Sequence, residues 1–316
     1  MARPNVCEGT IPPEDVLSPE ALRTPGAELF SGTHWRVAGE IDSGLPPLLC
    51  LHGGPGSTCA YFELLDDIAA GGRAVVTYDQ IGCGGSFLDG VPSLWRAETW
   101  LAELEAVVSH LGLDDFHLLG QSWGGMLAIT YLAERRPPQV RSVILSSTLS
   151  SSALWGREQR RMARQLPEAE RTALAAAEKS ASFAGAAYQR AIDRYMDLHC
   201  ADVTPAADAP DCLRRPKRSG RESYVCAWGP DELTPRGTLR DWDYTDRLPD
   251  IDVPALVVSG TDDLCTPLVA KTMADALPRS RWELLEGCRH LCFADDRPRY
   301  LELLRSWLAD VETGAI

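Results

Sequence analysis

Short apolar runs bounded by glycine, proline or aspartate alternate with longer stretches of helical periodicity along most of this chain. The runs are PPLLCLHGG, RAVVTYDQ, DFHLLGQS, VRSVILSS and VPALVVSG, and SRWELLEG predicts a last strand. Between them, AETWLAELEAVVSHLG places apolar residues at helical spacing and stops at Gly112, and GGMLAITYLAERRP does the same and stops before Pro137. That alternation predicts βα units in an α/β fold with a mostly parallel, doubly wound sheet. It breaks after Thr148, where an Ala-rich, charged, helical stretch carries no strand signal until about residue 253. The pattern predicts a core domain from 1–148 and 240–316 with a helical cap, 149–239, inserted between its halves. Within the cap, ADVTPAADAPDCLRRPKRSGR reads as a connecting loop.

Composition narrows the partners. The 316 residues, 45% of them hydrophobic, suffice for a large α/β core plus an insertion. A net charge of -14 repels phosphate backbones and anionic lipid surfaces, so neither nucleic acid nor membrane is expected as a partner. The ten cysteines are scattered without CxxC pairs, which favours a reduced, cytoplasmic protein. No signal peptide is read in MARPNVCEGTIPPEDVLSPE, and no later stretch approaches membrane-spanning length.

The candidate chemistry begins at Gly120-Gln121-Ser122-Trp123-Gly124, a G-x-S-x-G between a predicted strand and a predicted helix. A tight strand-to-helix turn would expose the Ser122 hydroxyl and point the amide of Trp123 at charge developing on a substrate oxygen. Serine needs a base, and the base an orienting acid. GTDDLCTP supplies Asp262 and Asp263 just beyond a late strand, and WELLEGCRHLCF supplies His290 one βα unit later. Order and strand-end placement select Ser122, Asp263 and His290 as the expected triad. His34, His110, His117 and His199 lack comparable placement. The glycines of LLCLHGGPG let main-chain amides approach a carbonyl, and Gly54 is the expected oxyanion donor opposite Trp123. Cys288 and Cys292 flank His290 but lack a fourth ligand nearby, so they read as packing residues and no metal is expected.

HGGPG at 52–56, YDQIGCGGS at 78–86, GQSWGG at 120–125 and GPDELTPRGTLRDWDYTDRL at 229–248, followed by GTDDLCTP and GCRHL, resemble the proline iminopeptidases, including the tricorn-interacting aminopeptidase, within the α/β-hydrolase superfamily. The resemblance spans about residues 27 to 310. It implies cleavage of an amide bond beside an N-terminal residue, often proline, with the free amine held by carboxylates. Glu232 matches the family's cap glutamate, the first amine anchor, and Gly53 and Trp228 are the other expected substrate contacts. The second anchor in the tricorn-interacting branch directly follows the catalytic aspartate. Leu264 stands there, which removes one charged contact unless Asp262 or Asp231 substitutes. The DWD at 241–243 is expected to join cap to sheet, and Asp79 and Gln80 to support the floor of the site.

These features predict an acyl-enzyme mechanism that needs no cofactor, acting on a small molecule or short peptide, in a monomer or small homo-oligomer. The same triad would equally serve an esterase, thioesterase, lactonase or acyltransferase on a specialised metabolite. A catalytically silent ligand receptor of the same fold is the third reading.

Overall fold

The computed structural model describes residues 4–316. Residues 1–3, assigned above to the core domain and to a start without a signal peptide, lie outside the described residues. The six strands expected from the apolar runs are present: β3 (Leu48–Leu51), β4 (Val75–Tyr78), β5 (Phe116–Gln121), β6 (Val140–Ser146), β7 (Ala255–Gly260) and β8 (Ser280–Leu285). Two strands precede them, β1 (Val6–Ile11) and β2 (Thr33–Ala38). The eight form one sheet in the order β1-β2-β4-β3-β5-β6-β7-β8, parallel from β4 onward, with β1 and β2 antiparallel at one edge.

Successive side chains of a strand face opposite sides of a sheet, and both sides here are apolar. Leu49, Leu51, Val76 and Leu118 pack with the helices Ala97–His110, Trp123–Arg135 and Pro267–Ala276. Leu48, Cys50, Val75 and Leu119 pack on the other side with the helical segment Cys59–Gly71 and the helix Arg297–Glu312. The helix that follows β5 is buried along most of its length, so the β5 turn cannot shift without disturbing both faces.

Residues 147–254 add no strand to the sheet; they contain the helices Ser152–Ala163, Glu168–Ser180, Ala186–His199 and Arg221–Ala227. Their buried residues, among them Trp155, Leu174, Tyr188 and Tyr195, are continuous with the apolar cluster of the sheet. Entry and exit of this segment run side by side: Ser151 bridges Asp243, and Ser152 N donates to Trp242 O at 3.0 Å. Trp242 Nε1 donates to Thr130 Oγ1 at 3.1 Å, which fastens this stem to the helix after β5. The DWD stretch thus joins insertion to sheet.

One buried acid braces the turn after β4. Glu103, with no exposed surface, accepts from Ile81 N at 2.8 and 2.9 Å through its two oxygens and from Thr33 Oγ1 at 2.5 Å. Burial outweighs these donors and pushes its carboxyl up to about 8 from 4.5. Because the folded value lies above the unfolded one, this contribution to stability is complete below about pH 4.5 and is lost as pH rises toward about 8. The Tm difference between Glu103→Gln and the parent protein is therefore expected to shift in the variant's favour across that window. A pH-independent difference would contradict the assignment.

Candidate active site

β5 ends at Gln121, and the next residue turns the chain sharply into a helix. Ser122 has φ 56° and ψ -123°, a left-handed conformation that costs an L-residue on the order of 1–3 kcal/mol. The surroundings hold it there. Ser122 N donates to Ser146 O at 3.0 Å, and Thr148 Oγ1 donates to Ser122 O at 2.6 Å. Gly124 is required by close approach, because a Cβ there would collide with the carbonyl oxygen of Leu51 at the end of β3. The Ser122 hydroxyl faces a cavity and makes no protein hydrogen bond among the described residues, and Trp123 N, at the helix start, is likewise unpaired.

Asp263 follows β7 and His290 follows β8, at the same end of the sheet as the Ser122 turn. His290 Nδ1 lies 2.7 Å from Asp263 Oδ1. The carboxylate is buried and otherwise occupied by main-chain donors, Cys265 N at 2.8 Å to Oδ1 and Gly260 N at 3.2 Å to Oδ2. With Nδ1–H committed to Asp263, Nε2 is the ring nitrogen left to take a proton. His290 and Ser122 line the same cavity. Trp155 packs edge-on against the imidazole with ring centroids 5.8 Å apart.

The 52–56 loop lies against the serine turn: a Cβ on Gly53 would sit 3.0 Å from Ser122 Cβ and 2.6 Å from Gln121 Oε1. Its shape is set by His52. Gln80 N donates to His52 Nε2 at 2.9 Å, which puts the ring proton on Nδ1, directed at Gly53 O 2.8 Å away. Burial lowers the pKa of this imidazole, so it stays neutral. Gly53 N donates to Tyr61 OH at 2.6 Å, whereas Gly54 N has no hydrogen-bond partner among the described residues and Gly54 has φ +116°, a conformation that favours glycine. Gln80 Oε1 also accepts from Trp123 Nε1 at 2.8 Å, tying the floor to the helix start.

Tyr61 and Tyr224, which no motif singled out, and the Gln121 side chain, to which the motif gave no role, connect these parts. Tyr61 OH donates to Gln121 Oε1 at 2.9 Å, and Gln121 Nε2 donates to His290 O at 3.3 Å. Tyr224 OH donates to Glu232 Oε1 at 2.6 Å. These links join residues that are distant in sequence or lie in a segment with no catalytic pattern, so no local signal marks them.

The cavity holds about 600 Å³, within the usual range for small-molecule sites. Gly53, Gly54, Ser122, His290 and Glu232 all line it. Burial raises the Glu232 carboxyl above the usual range, partly offset by the Tyr224 hydrogen bond and the nearby His290. Asp231 lines the same wall and accepts from Tyr188 OH and from Leu233 N. Asp262 is exposed and does not reach the cavity wall. Trp228 is a correction to the expected substrate contacts. It is 3% exposed and stands behind Trp155, ring centroids 6.2 Å apart, because the end of helix Arg221–Ala227 turns it into the apolar cluster. Cys288 and Cys292 are buried, and Cys292 Sγ donates to Arg289 O at 3.1 Å, which is a packing arrangement.

Residues 46–296 match the family model described as alpha/beta hydrolase fold. A proline iminopeptidase of Clostridioides difficile (strain 630) is 50% identical over 288 residues, 90% of this chain and 98% of that protein. The chain belongs to the proline iminopeptidase family of α/β-hydrolases. It is a serine hydrolase of that family. A proline iminopeptidase of Lactiplantibacillus plantarum is 51% identical over 283 residues, 89% of this chain and 98% of that protein. Among solved structures, VinJ superposes with a TM-score of 0.83 at 30% identity, covering 98% of this chain and 99% of that one. The proline iminopeptidase of Mycobacterium smegmatis gives a TM-score of 0.77 at 29% identity, covering 90% and 97%. Within this family the position after Asp263 carries no charge in the present chain: Leu264 is fully buried in the apolar cluster, with its carbonyl accepting from Gln159 Nε2 at 2.7 Å. The carboxylates left on the cavity wall are Glu232 and Asp231.

Proposed function

We propose that this protein removes a proline or other small apolar residue from the N-terminus of a short peptide, through an acyl-enzyme on Ser122. His290 Nε2 takes the Ser122 proton as Oγ attacks the scissile carbonyl. The amides of Gly54 and Trp123 hold the resulting oxyanion, and Asp263 keeps the imidazole in the tautomer that accepts at Nε2. The imidazolium then protonates the departing amine. Water, deprotonated by the same nitrogen, attacks the acyl-enzyme, and the returned proton regenerates the Ser122 hydroxyl as the free amino acid leaves. The inserted segment 149–239 acts as a cap that supplies the amine anchor. Ten free thiols support a reducing, cytoplasmic setting, and no helix among the described residues is long and apolar enough to cross a membrane.

The observation that carries this reading is Glu232, a half-buried carboxylate sharing the cavity of Ser122 and His290. It forms no ion pair among the described residues, and a substrate ammonium would supply one. The test compares prolyl and alanyl anilides with their N-acetylated forms. The free amines are expected to be cleaved with kcat/KM about ten- to a hundredfold higher, as one charge-assisted hydrogen bond implies. Equal rates, or a preference for the acetylated forms, would overturn it. Buried, apolar Leu264 in place of a second anchor favours the remaining reading, an esterase, thioesterase, lactonase or acyltransferase, and the same comparison separates the two.

Glu232 must be ionised to hold an ammonium. Burial raises its pKa, so kcat/KM for free-amine substrates is expected to fall on acidification at a higher pH than an ordinary glutamate would titrate. In Glu232→Gln the part of the acidic limb due to Glu232 should vanish along with most of the free-amine preference, leaving the part due to the general base. A profile unchanged by the substitution would remove Glu232 from the site.

A further inference from the structure

The stretch RPKRSGR, residues 215–221, read from sequence as part of a connector, is docked onto the active-site loop. Gly220 N donates to Gly56 O at 2.8 Å, and Arg218 O accepts from Gly84 N at 2.8 Å. The approach is close enough that a Cβ on Gly56 would collide with Gly220 O. This docking brings Lys217 and Arg221 onto the wall of the cavity that holds Ser122. Neither forms an ion pair among the described residues; Lys217 Nζ donates to Leu213 O at 2.9 Å. The acids beside Lys217, Glu63 and Asp211, are both engaged by Arg215. Two unpaired cations therefore face one cavity in a protein whose net charge is -14.

The wall of the cavity carries both signs of charge. Lys217 and Arg221 precede or open the helix Arg221–Ala227, and Asp231 and Glu232 follow it. A zwitterionic short peptide matches both signs, its ammonium at Glu232 and its carboxylate at the two cations. Resting on the aminopeptidase reading above, we infer that Lys217 and Arg221 form a subsite for the C-terminal carboxylate of a short peptide substrate. The subsite selects free short peptides over C-terminally blocked ones, because a blocked terminus offers the two cations no carboxylate.

The experiment measures proline release from Pro-Ala-Ala and from its C-terminal amide with the full-length enzyme. The free acid is expected to have a kcat/KM about three- to fivefold higher at low ionic strength, with the ratio shrinking as salt screens an exposed pair. The Lys217→Gln/Arg221→Gln double variant should bring the ratio near one, and Lys217→Arg/Arg221→Lys should keep most of it. A ratio near one in the parent enzyme, or one that survives the double glutamine substitution, overturns this inference and leaves the aminopeptidase reading intact. Cleavage of neither peptide overturns that reading, and this inference with it.

Discussion

Ser122→Ala is expected to lower kcat on a free-amine anilide by about 10⁴–10⁶-fold while leaving Tm within a few degrees of the parent. The loss is large because the oxygen removed is the atom that forms the covalent intermediate. What remains is binding, together with the Gly54 and Trp123 amides, which still favour attack by water to a small extent. Stability is preserved because the contacts that hold residue 122 are made by its main chain, with Ser146 O and Thr148 Oγ1 as partners. Alanine also carries a Cβ, so it meets the same φ of 56° as serine does. Single-turnover and steady-state rates on a prolyl anilide, with a melting curve, check both halves. Activity within tenfold of the parent enzyme would place the nucleophile elsewhere.

Asp263→Asn should cost about 10⁴-fold in kcat. The carboxylate accepts three N–H donors, from His290, Cys265 and Gly260, so an amide cannot satisfy all of them. If Asn keeps its oxygen toward His290 and Cys265, its NH₂ meets the Gly260 N–H head-on. If it flips, its NH₂ faces His290 Nδ1 and favours the tautomer with the proton on Nε2, which cannot accept from Ser122. The first arrangement weakens the turn after β7, and the second removes the base. The loss should ease at high pH less than that of an ordinary base variant, because a tautomer and not a charge is wrong. A decrease below tenfold across the pH range would contradict the role given to Asp263.

The strands β3 to β7 were legible because nearly all of their residues are buried, and burial on both faces writes a continuous apolar run, whereas β8, half-buried at the other edge, showed only the short run WELL. β1 and β2 were not legible. β1 is exposed along most of its length at the sheet edge, and β2 mixes His, Trp and Arg with small apolar residues, so neither presents a run. The relative placement of Ser122, Asp263 and His290 followed from motif order, since each ends or follows a strand at one end of the sheet. Side-chain orientation did not follow. Trp228 sits only four residues before Glu232, yet one faces the apolar cluster and the other the cavity. Lys217 and Arg221 looked like loop residues because their docking partners, Gly56 and Gly82 to Gly84, lie more than 130 residues earlier, as the Gly220 and Arg218 hydrogen bonds show.

The most direct measurement is peptide mapping by mass spectrometry after treatment with a fluorophosphonate. Such a probe phosphonylates a serine only when a neighbouring base takes its proton and fluoride departs. One adduct is expected per chain, on the peptide containing Ser122, absent from Ser122→Ala and formed far more slowly in Asp263→Asn. An intact native protein that takes up no probe, or takes it up at another residue, would contradict the account.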